Sequence, residues 1–136
     1  MDPLSGKTAV VVGGGQGIGR GIALAFAREG MNVAVLDIEA EAAESVAAEV
    51  QDLGARGFGC RADVTNVDYL NAAAREVTAA LGPVHVLSNN AGVVVPQGPI
   101  TEKKSADWEY TFAVNLFGIV NCVQTFLPAI RAHGKG

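Results

Sequence analysis

The sequence predicts an α/β fold, a doubly wound parallel sheet, on three observations. Short apolar runs alternate with helical patterns three times along the chain, which is the rhythm of βαβ units. The first run, Thr8–Val12, is almost continuously apolar, as a strand covered by helices on both faces must be. A glycine-rich turn at residues 13–19 joins that run directly to a helical pattern.

Each element follows in order. The run at residues 8–12 reads as a central strand, and the helix after the turn places Ile18, Ile22, Ala25 and Phe26 on one face before Gly30 stops it. Residues 33–37 form a second strand ending in Asp37. A helix over residues 39–53 follows, with an apolar stripe of Ala43, Val46, Ala47, Val50 and Leu53 and a stop at Gly54. A third, weaker strand runs near residues 56–60. Asp63, Val64, Thr65 and Asn66 then lead into a strongly amphipathic helix carrying Val67, Leu70, Ala74, Val77 and Leu81. Gly82 and Pro83 break the chain before a fourth strand at residues 84–88. Beyond a loop with Pro96, Gly98 and Pro99, the chain is expected to be helical from about Ser105 to His133, in two pieces meeting near Val114, the second bent at Pro128.

Composition narrows the function. The 136 residues suit a single domain, and 49% hydrophobic with 18% charged residues exclude a disordered chain. Ten basic against fourteen acidic side chains give a net charge of -4 with no basic stripe, which argues against nucleic acid and anionic membranes and favours a small-molecule partner. Asn115 and Asn121 interrupt the longest apolar run, so no membrane-spanning segment is expected; residues 1–3 lack the features of a secretory signal, and a cytoplasmic location follows. Cys60 and Cys122 have no CxxC spacing and read as buried, reduced thiols. His85, inside a strand, and His133, in the glycine-rich tail, have no partner at useful spacing, so no metal site is expected.

The turn carries the first chemistry. A pyrophosphate needs backbone N–H groups aimed at it, a helix dipole behind them and no Cβ in the way. Gly13, Gly17 and Gly19 meet that need in a GxxxGxG spacing, not the GxGxxG one, and a P-loop for a nucleoside triphosphate is rejected. Asp37, at the end of the second strand, lies where a dinucleotide-binding fold places the acid that holds the adenosine ribose. A carboxylate there repels a 2′-phosphate, and neither Gln16 nor Ile38 is basic. NAD is therefore favoured over NADP.

Four motifs in order give the chain a family resemblance over nearly its whole length. Residues 12–19, VGGGQGIG, resemble TGxxxGIG with Val12 at the threonine position; Asp63-Val64 resembles an adenine-binding pair; Asn89-Asn90-Ala91-Gly92 matches NNAG; and Asn115, within Val114-Asn115-Leu116, resembles the asparagine of a catalytic tetrad. Together they resemble the N-terminal half of a short-chain dehydrogenase/reductase. The resemblance implies a Rossmann-like sheet of order 3-2-1-4, incomplete at four strands, and roles for individual residues. Gly13, Gly15, Gly17 and Gly19 would cradle the pyrophosphate, with Ile18 toward the nicotinamide and Gln16 toward the adenosine ribose. Asp37 would hold that ribose with Ile38 beside it, Asp63 and Val64 would take the adenine, and Asn90, Ala91 and Gly92 would line the ribose side. Val12 removes only a hydroxyl that ties neighbouring strands, and Asn89 is expected chiefly to satisfy backbone groups at the strand end.

The resemblance also implies a Ser, a Tyr and a Lys, the last two as YxxxK. Tyr69 is followed four residues later by Ala73 and Tyr110 by Val114, and the only lysine after Asn115 is Lys135. Residues 1–136 are thus read as a nucleotide-binding domain cut before its catalytic segment. Ended there, it would leave the fourth strand unpaired and associate or precipitate. Homo-oligomers through the last helix are implied as well, and Trp108, Tyr110, Phe112, Phe117 and Phe126 are read as core or subunit contacts. The acids Glu39, Glu41, Glu44, Glu49 and Asp52 read as a solvated helix face. A catalytically silent dinucleotide-binding or interaction module is the alternative; an S-adenosylmethionine-dependent methyltransferase would leave residues 89–92 and Asn115 unexplained.

Overall fold

The computed structural model describes residues 4–134; Met1, Asp2, Pro3, Lys135 and Gly136 lie outside the described residues. Four strands, β1 (Thr8–Val12), β2 (Asn32–Asp37), β3 (Gly57–Arg61) and β4 (Val84–Asn89), form one parallel sheet in the order β3-β2-β1-β4. The helices are α1 (Gly17–Arg28), α2 (Ala40–Asp52), α3 (Val67–Leu81), α4 (Ser105–Phe112) and α5 (Gly118–His133).

Side chains alternate across a strand, so an apolar run on a two-sided sheet feeds two cores. Val11, Val33 and Val35 pack with Ala23, Leu24 and Ala27 of α1 and with Ala43, Val46 and Val50 of α2. Val10, Val12, Ala34 and Leu36 point the other way, to Leu70, Ala73, Val77 and Leu81 of α3 and Cys122 and Phe126 of α5. The buried face of α1 matches the expected one only in part: Ile22 and Phe26 pack half-buried against this core, and Ile18 and Ala25 do not. Gly19, Ala23, Leu24 and Ala27 face the sheet, Ile18 is 77% exposed, and Ala25 is exposed too. Small side chains let this helix lie close to the strands, and close approach outweighs the larger apolar residues. Leu53 and Val67, expected in the α2 and α3 stripes, are half exposed because each sits at its helix's end.

β3 looks weak in sequence because its glycines serve packing. A Cβ on Gly57 would lie 2.2 Å from the Ala47 carbonyl oxygen and one on Gly59 2.5 Å from that of Ala43, so α2 rests directly on β3 backbone. Asn66 is the cap of α3: its Oδ1 accepts from the backbone N–H of Asp68 at 3.0 Å and Tyr69 at 3.2 Å. The acidic face of α2 is not wholly solvated, since Arg20 of α1 pairs with Glu49, binding Oε1 through Nε at 2.9 Å and Oε2 through its terminal nitrogen.

The C-terminal helix has its expected junction near Val114, and it corrects one expectation. It runs unbroken from Ser105 to His133, because a π turn, Ala113–Phe117, joins α4 to α5, and Pro128 lies inside α5 without ending it. By length and composition it could cross a membrane, with a mean hydropathy of 1.5. Asn115 and Asn121 do not interrupt it, because both side chains bond away from the helix, to the backbones of Val93 and Val64. Its inner face carries Val114, Gly118, Cys122 and Phe126, four residues apart; Phe112, Leu116, Phe117, Ile119, Val120 and Leu127 stay exposed, so among the described aromatics of this segment only Phe126 is core.

His133 is part of α5, not of a loose tail. Between Thr8 and Ala9 the β1–β4 register slips by one residue, leaving His85 as the extra residue of a bulge. The Thr8 N–H donates to His85 Nδ1 at 3.1 Å, the His133 ring lies 4.7 Å from that of His85, and His133 Nε2 is 2.6 Å from the Val84 carbonyl oxygen.

Two predictions follow from this packing. Gly59→Ala forces backbone apart and should cost about 1–3 kcal/mol, read as a lower urea midpoint. Burial pushes the Cys122 thiol up to about 11, and burial, then the nearby Glu76 carboxylate, pushes that of Cys60 up to about 11, against an ordinary 9.0. Between those values the unfolded chain has released protons that the folded chain keeps. Stability should hold below the lower value and fall as pH rises toward the upper one, and a Cys60→Ala, Cys122→Ala double variant should lose that decline in urea titrations across the window.

Candidate functional site

The carboxyl ends of the four strands open into a cleft of about 390 Å³. Sheet topology puts it there: β1 stands between β2 and β4, and the loops leaving those two strands diverge to opposite faces.

One wall is the glycine turn. Gly13, with φ of +73°, donates its N–H to the Leu36 carbonyl at 2.7 Å, and its own carbonyl accepts from Asn90 Nδ2 at 3.0 Å. A Cβ on Gly13 would lie 2.6 Å from the backbone of Ala91, and one on Gly19 2.0 Å from the Gly13 carbonyl oxygen. The turn is therefore clamped between β4 and α1 with no space for side chains. Gly17, at φ +55°, has nothing within 4 Å of where a Cβ would stand. Gln16, the N-cap, makes no side-chain cap, and the first turn of α1 has no acid. Glycine backbone, uncapped helix N–H groups and the positive end of a helix dipole suit a diphosphate. The sequence does hold a GK[ST] triplet, Gly6-Lys7-Thr8, so its absence is no ground for rejecting a triphosphate loop; the triplet enters β1 instead of leaving a strand for a helix, and the position five residues before Gly6 is Met1, not the glycine that the pattern needs.

A second wall is acidic. Asp37 Oδ2 accepts from the Gly15 N–H at 2.9 Å and its Oδ1 from the Glu39 N–H at 3.1 Å, which fixes the carboxylate at the rim beside Ile38. Asp63 Oδ1 accepts from the N–H and the hydroxyl of Thr65, at 2.9 and 2.7 Å, so it organises its own turn and leaves the helix cap to Asn66. Val64 packs against α5, where a Cβ on Gly118 would come within 2.6 Å of its side chain, and its carbonyl accepts from Asn121 Nδ2 at 2.9 Å. The charged lining residues are Asp37 and Asp63, both acidic.

The third wall continues β4. Asn90 donates its backbone N–H to the Val12 carbonyl at 3.0 Å, and Ala91, Gly92 and Val93 run on from it. Asn115 does not line the cleft. From the π turn, its Nδ2 donates to the Val93 carbonyl and its Oδ1 accepts from the Val93 N–H, both at 2.7 Å, so an amide side chain stands in for a neighbouring strand.

Of the expected residues, Gly13, Gln16, Asp37, Ile38, Asp63, Val64, Asn90, Ala91 and Gly92 meet in this one cleft. Gly15, Gly17, Ile18 and Gly19 shape the turn beside it. Tyr110, Val114 and Thr65 line it without having been expected there. Tyr110 and Val114 stand one helical turn apart, and that spacing was the available signal. Asn89 differs from expectation: its Oδ1 is buried with no hydrogen-bond partner, and the residue opposite it in the β1–β4 register is Val12, whose side chain carries no donor.

The family model for short chain dehydrogenases matches residues 7–136. The 7alpha-hydroxysteroid dehydrogenase of Escherichia coli (strain K12) is 39% identical over 133 residues, covering 98% of this chain and 51% of that protein. A short chain dehydrogenase/reductase from Burkholderia phymatum, solved in complex with NAD, superposes with a TM-score of 0.91 at 34% identity, over 98% of this chain and 47% of that one. A 7 alpha-hydroxysteroid dehydrogenase complexed with NADH and 7-oxo glycochenodeoxycholic acid superposes at 0.89 with 38% identity, over 96% and 51%. The chain thus spans about half the length of these relatives.

Val12 and Asn89 line a small void that has no room for a water. Val12→Thr places a hydroxyl opposite the unpartnered oxygen and should raise stability by about 1 kcal/mol, seen as a higher urea midpoint with an unchanged slope. A loss of stability would mean that the hydroxyl cannot reach Asn89.

Proposed function

The chain belongs to the short-chain dehydrogenase family, and from that membership we propose that it is the cofactor-binding part of an oxidoreductase that moves hydride between a nicotinamide dinucleotide and a secondary alcohol or ketone. The observation that carries this reading is the convergence of the glycine turn, Asp37, Asp63-Val64 and residues 90–92 on one cleft. The diphosphate is assigned to the glycine turn and α1, the adenosine ribose to Asp37 with Gln16 and Ile38, and the adenine to Asp63 and Val64. The bound nicotinamide would supply or accept the hydride, at the end of the cleft that Ile18 and Asn90 to Gly92 flank. Asn115 would serve the reaction by holding Val93, and with it the β4 extension, in place. Tyr69 and Tyr110 lack a lysine four residues on, so the 136-residue chain is expected to bind cofactor weakly and turn over nothing. Polypeptide beyond residue 136 would have to provide the proton-transferring group.

NAD is the favoured form. Asp37 is held at the rim by Gly15 and Glu39, and an added 2′-phosphate would meet a fixed negative charge. At 4 Å such a repulsion is about 1 kcal/mol per unit charge in water and about 4 kcal/mol near a protein surface. The exposed apolar face of the C-terminal helix, opposite the face docked on the sheet, supports a homo-oligomer.

Titration of the chain with NADH, NADPH and S-adenosylmethionine tests the reading. NADH should bind most tightly. Asp37→Asn, which removes the charge and keeps an acceptor for Gly15, should bring NADPH affinity at least about fivefold closer to that for NADH. Tighter binding of the methyl donor would overturn the oxidoreductase reading; tighter binding of NADPH by the unaltered chain would overturn only the cofactor preference.

A further inference from the structure

Tyr110 is the one aromatic ring that reaches the cleft, among its lining residues. It stands on α4 one turn before Val114, which is 8% exposed and packed with Val12 and Val64 in the core below the cleft. Tyr110 itself is 56% exposed although it lines the same cavity, so its ring stands at the mouth, above Val114. Across from it, on the loop after β2, Ile38 is 51% exposed and lines the cavity as well. Asp63, Val64 and Thr65 form the wall between them. Tyr110, Ile38 and Val64 thus bring apolar surface to this cavity, and Asp63 and Thr65 bring acceptors. A flat heteroaromatic ring that carries hydrogen-bond donors on its edge fits such a cavity; a flexible chain or an anion does not.

Exposure alone does not explain the placement. Trp108 and Phe112, two residues to either side, are also part exposed, and their rings lie 6.5 Å apart on another side of the helix without touching the cleft. The helix could have presented any of the three to the cleft, and it presents Tyr110, because Val114 fixes its rotation by packing into the core and position 110 lies directly above position 114.

We propose that Tyr110 stacks on the purine of the bound nucleotide and sets the affinity for it, with Ile38 as the opposing surface. This rests on the assignment of the adenine to Asp63 and Val64, and extends it by naming a ring contact from a different part of the chain. Stacking is insensitive to the pattern of ring substituents, so Tyr110 supplies affinity for a purine, and the acceptors around Asp63 supply the choice of adenine.

The test is calorimetric titration of the 136-residue chain, with Tyr110→Phe and Tyr110→Ala beside it, using NADH and AMP as separate probes. Tyr110→Phe keeps the ring and should bind both within about twofold of the unaltered chain; Tyr110→Ala should bind both roughly tenfold more weakly. Circular dichroism melts show whether the variants fold alike, and an exposed side chain makes that the expected result. NADH and AMP affinities unchanged in Tyr110→Ala would overturn the stacking role while leaving the dinucleotide reading intact. Equal losses in Tyr110→Phe and Tyr110→Ala would overturn it too, by assigning the effect to the hydroxyl. Failure of the unaltered chain to bind either probe would overturn the dinucleotide reading and this proposal with it.

Discussion

The site depends on how closely three backbones approach at Gly13. Its carbonyl receives the Asn90 amide, a Cβ at Gly19 of α1 would meet that same oxygen at 2.0 Å, and a Cβ at Gly13 would meet the Ala91 backbone at 2.6 Å. β1, α1 and the extension of β4 are thereby fixed to one another at a single residue. A methyl group at position 13 or 19 would collide with main chain, which cannot rotate aside. The cleft keeps its shape because its narrowest point contains no side chain whose rotamer could change.

The two helical layers divide the work. α1 and α2 rest on the sheet through glycine and alanine, at distances set by backbone, and they carry the rim where Asp37 stands. α3 and the long C-terminal helix pack larger side chains, Leu70, Val77, Leu81 and Phe126, and cover the other face. Thr8, the one buried polar residue of the described core, joins these systems: its hydroxyl donates to the Leu81 carbonyl at 3.1 Å and its N–H to the bulged His85. The start of β1 is held by side-chain chemistry and its end by backbone proximity.

Much of this was legible in sequence. The four strands, the glycine turn and Asp37 follow from short-range patterns, since a strand and a turn each fit within a few residues, whereas the strand order and the Asp63-Val64 pair came from the family resemblance. What was not legible depends on contacts between distant segments. The buried face of α1 was partly misjudged because periodicity weighs Ile18 as apolar and cannot see that Gly19 must approach Gly13. The asparagines of the last helix looked like interruptions because their partners, Val93 and Val64, are 22 and 57 residues away. His133 looked like part of a tail because nothing local indicates the bulge it packs against. Tyr110 looked like one aromatic among several, since only the rotation of the helix separates it from Trp108 and Phe112. Asn89 was expected to satisfy backbone groups at the strand end, and its unpartnered oxygen instead faces the valine at position 12 across the strand pair.

The π turn, finally, sets a phase. A regular helix advances about 100° per residue, and a π turn absorbs one residue beyond that count. Here the extra residue falls where the chain passes from the cleft to the stretch docked on the sheet, so the segment before it is aligned to one surface and the segment after it to another. The helix works as two indexed shafts joined by a coupling. Deleting one residue between Ala113 and Phe117 would leave helix on both sides and much of the core composition unchanged, yet it would rotate Tyr110 out of the cleft and Asn115 away from Val93 together. The family of sequences that can occupy this segment is therefore restricted in length more tightly than in composition.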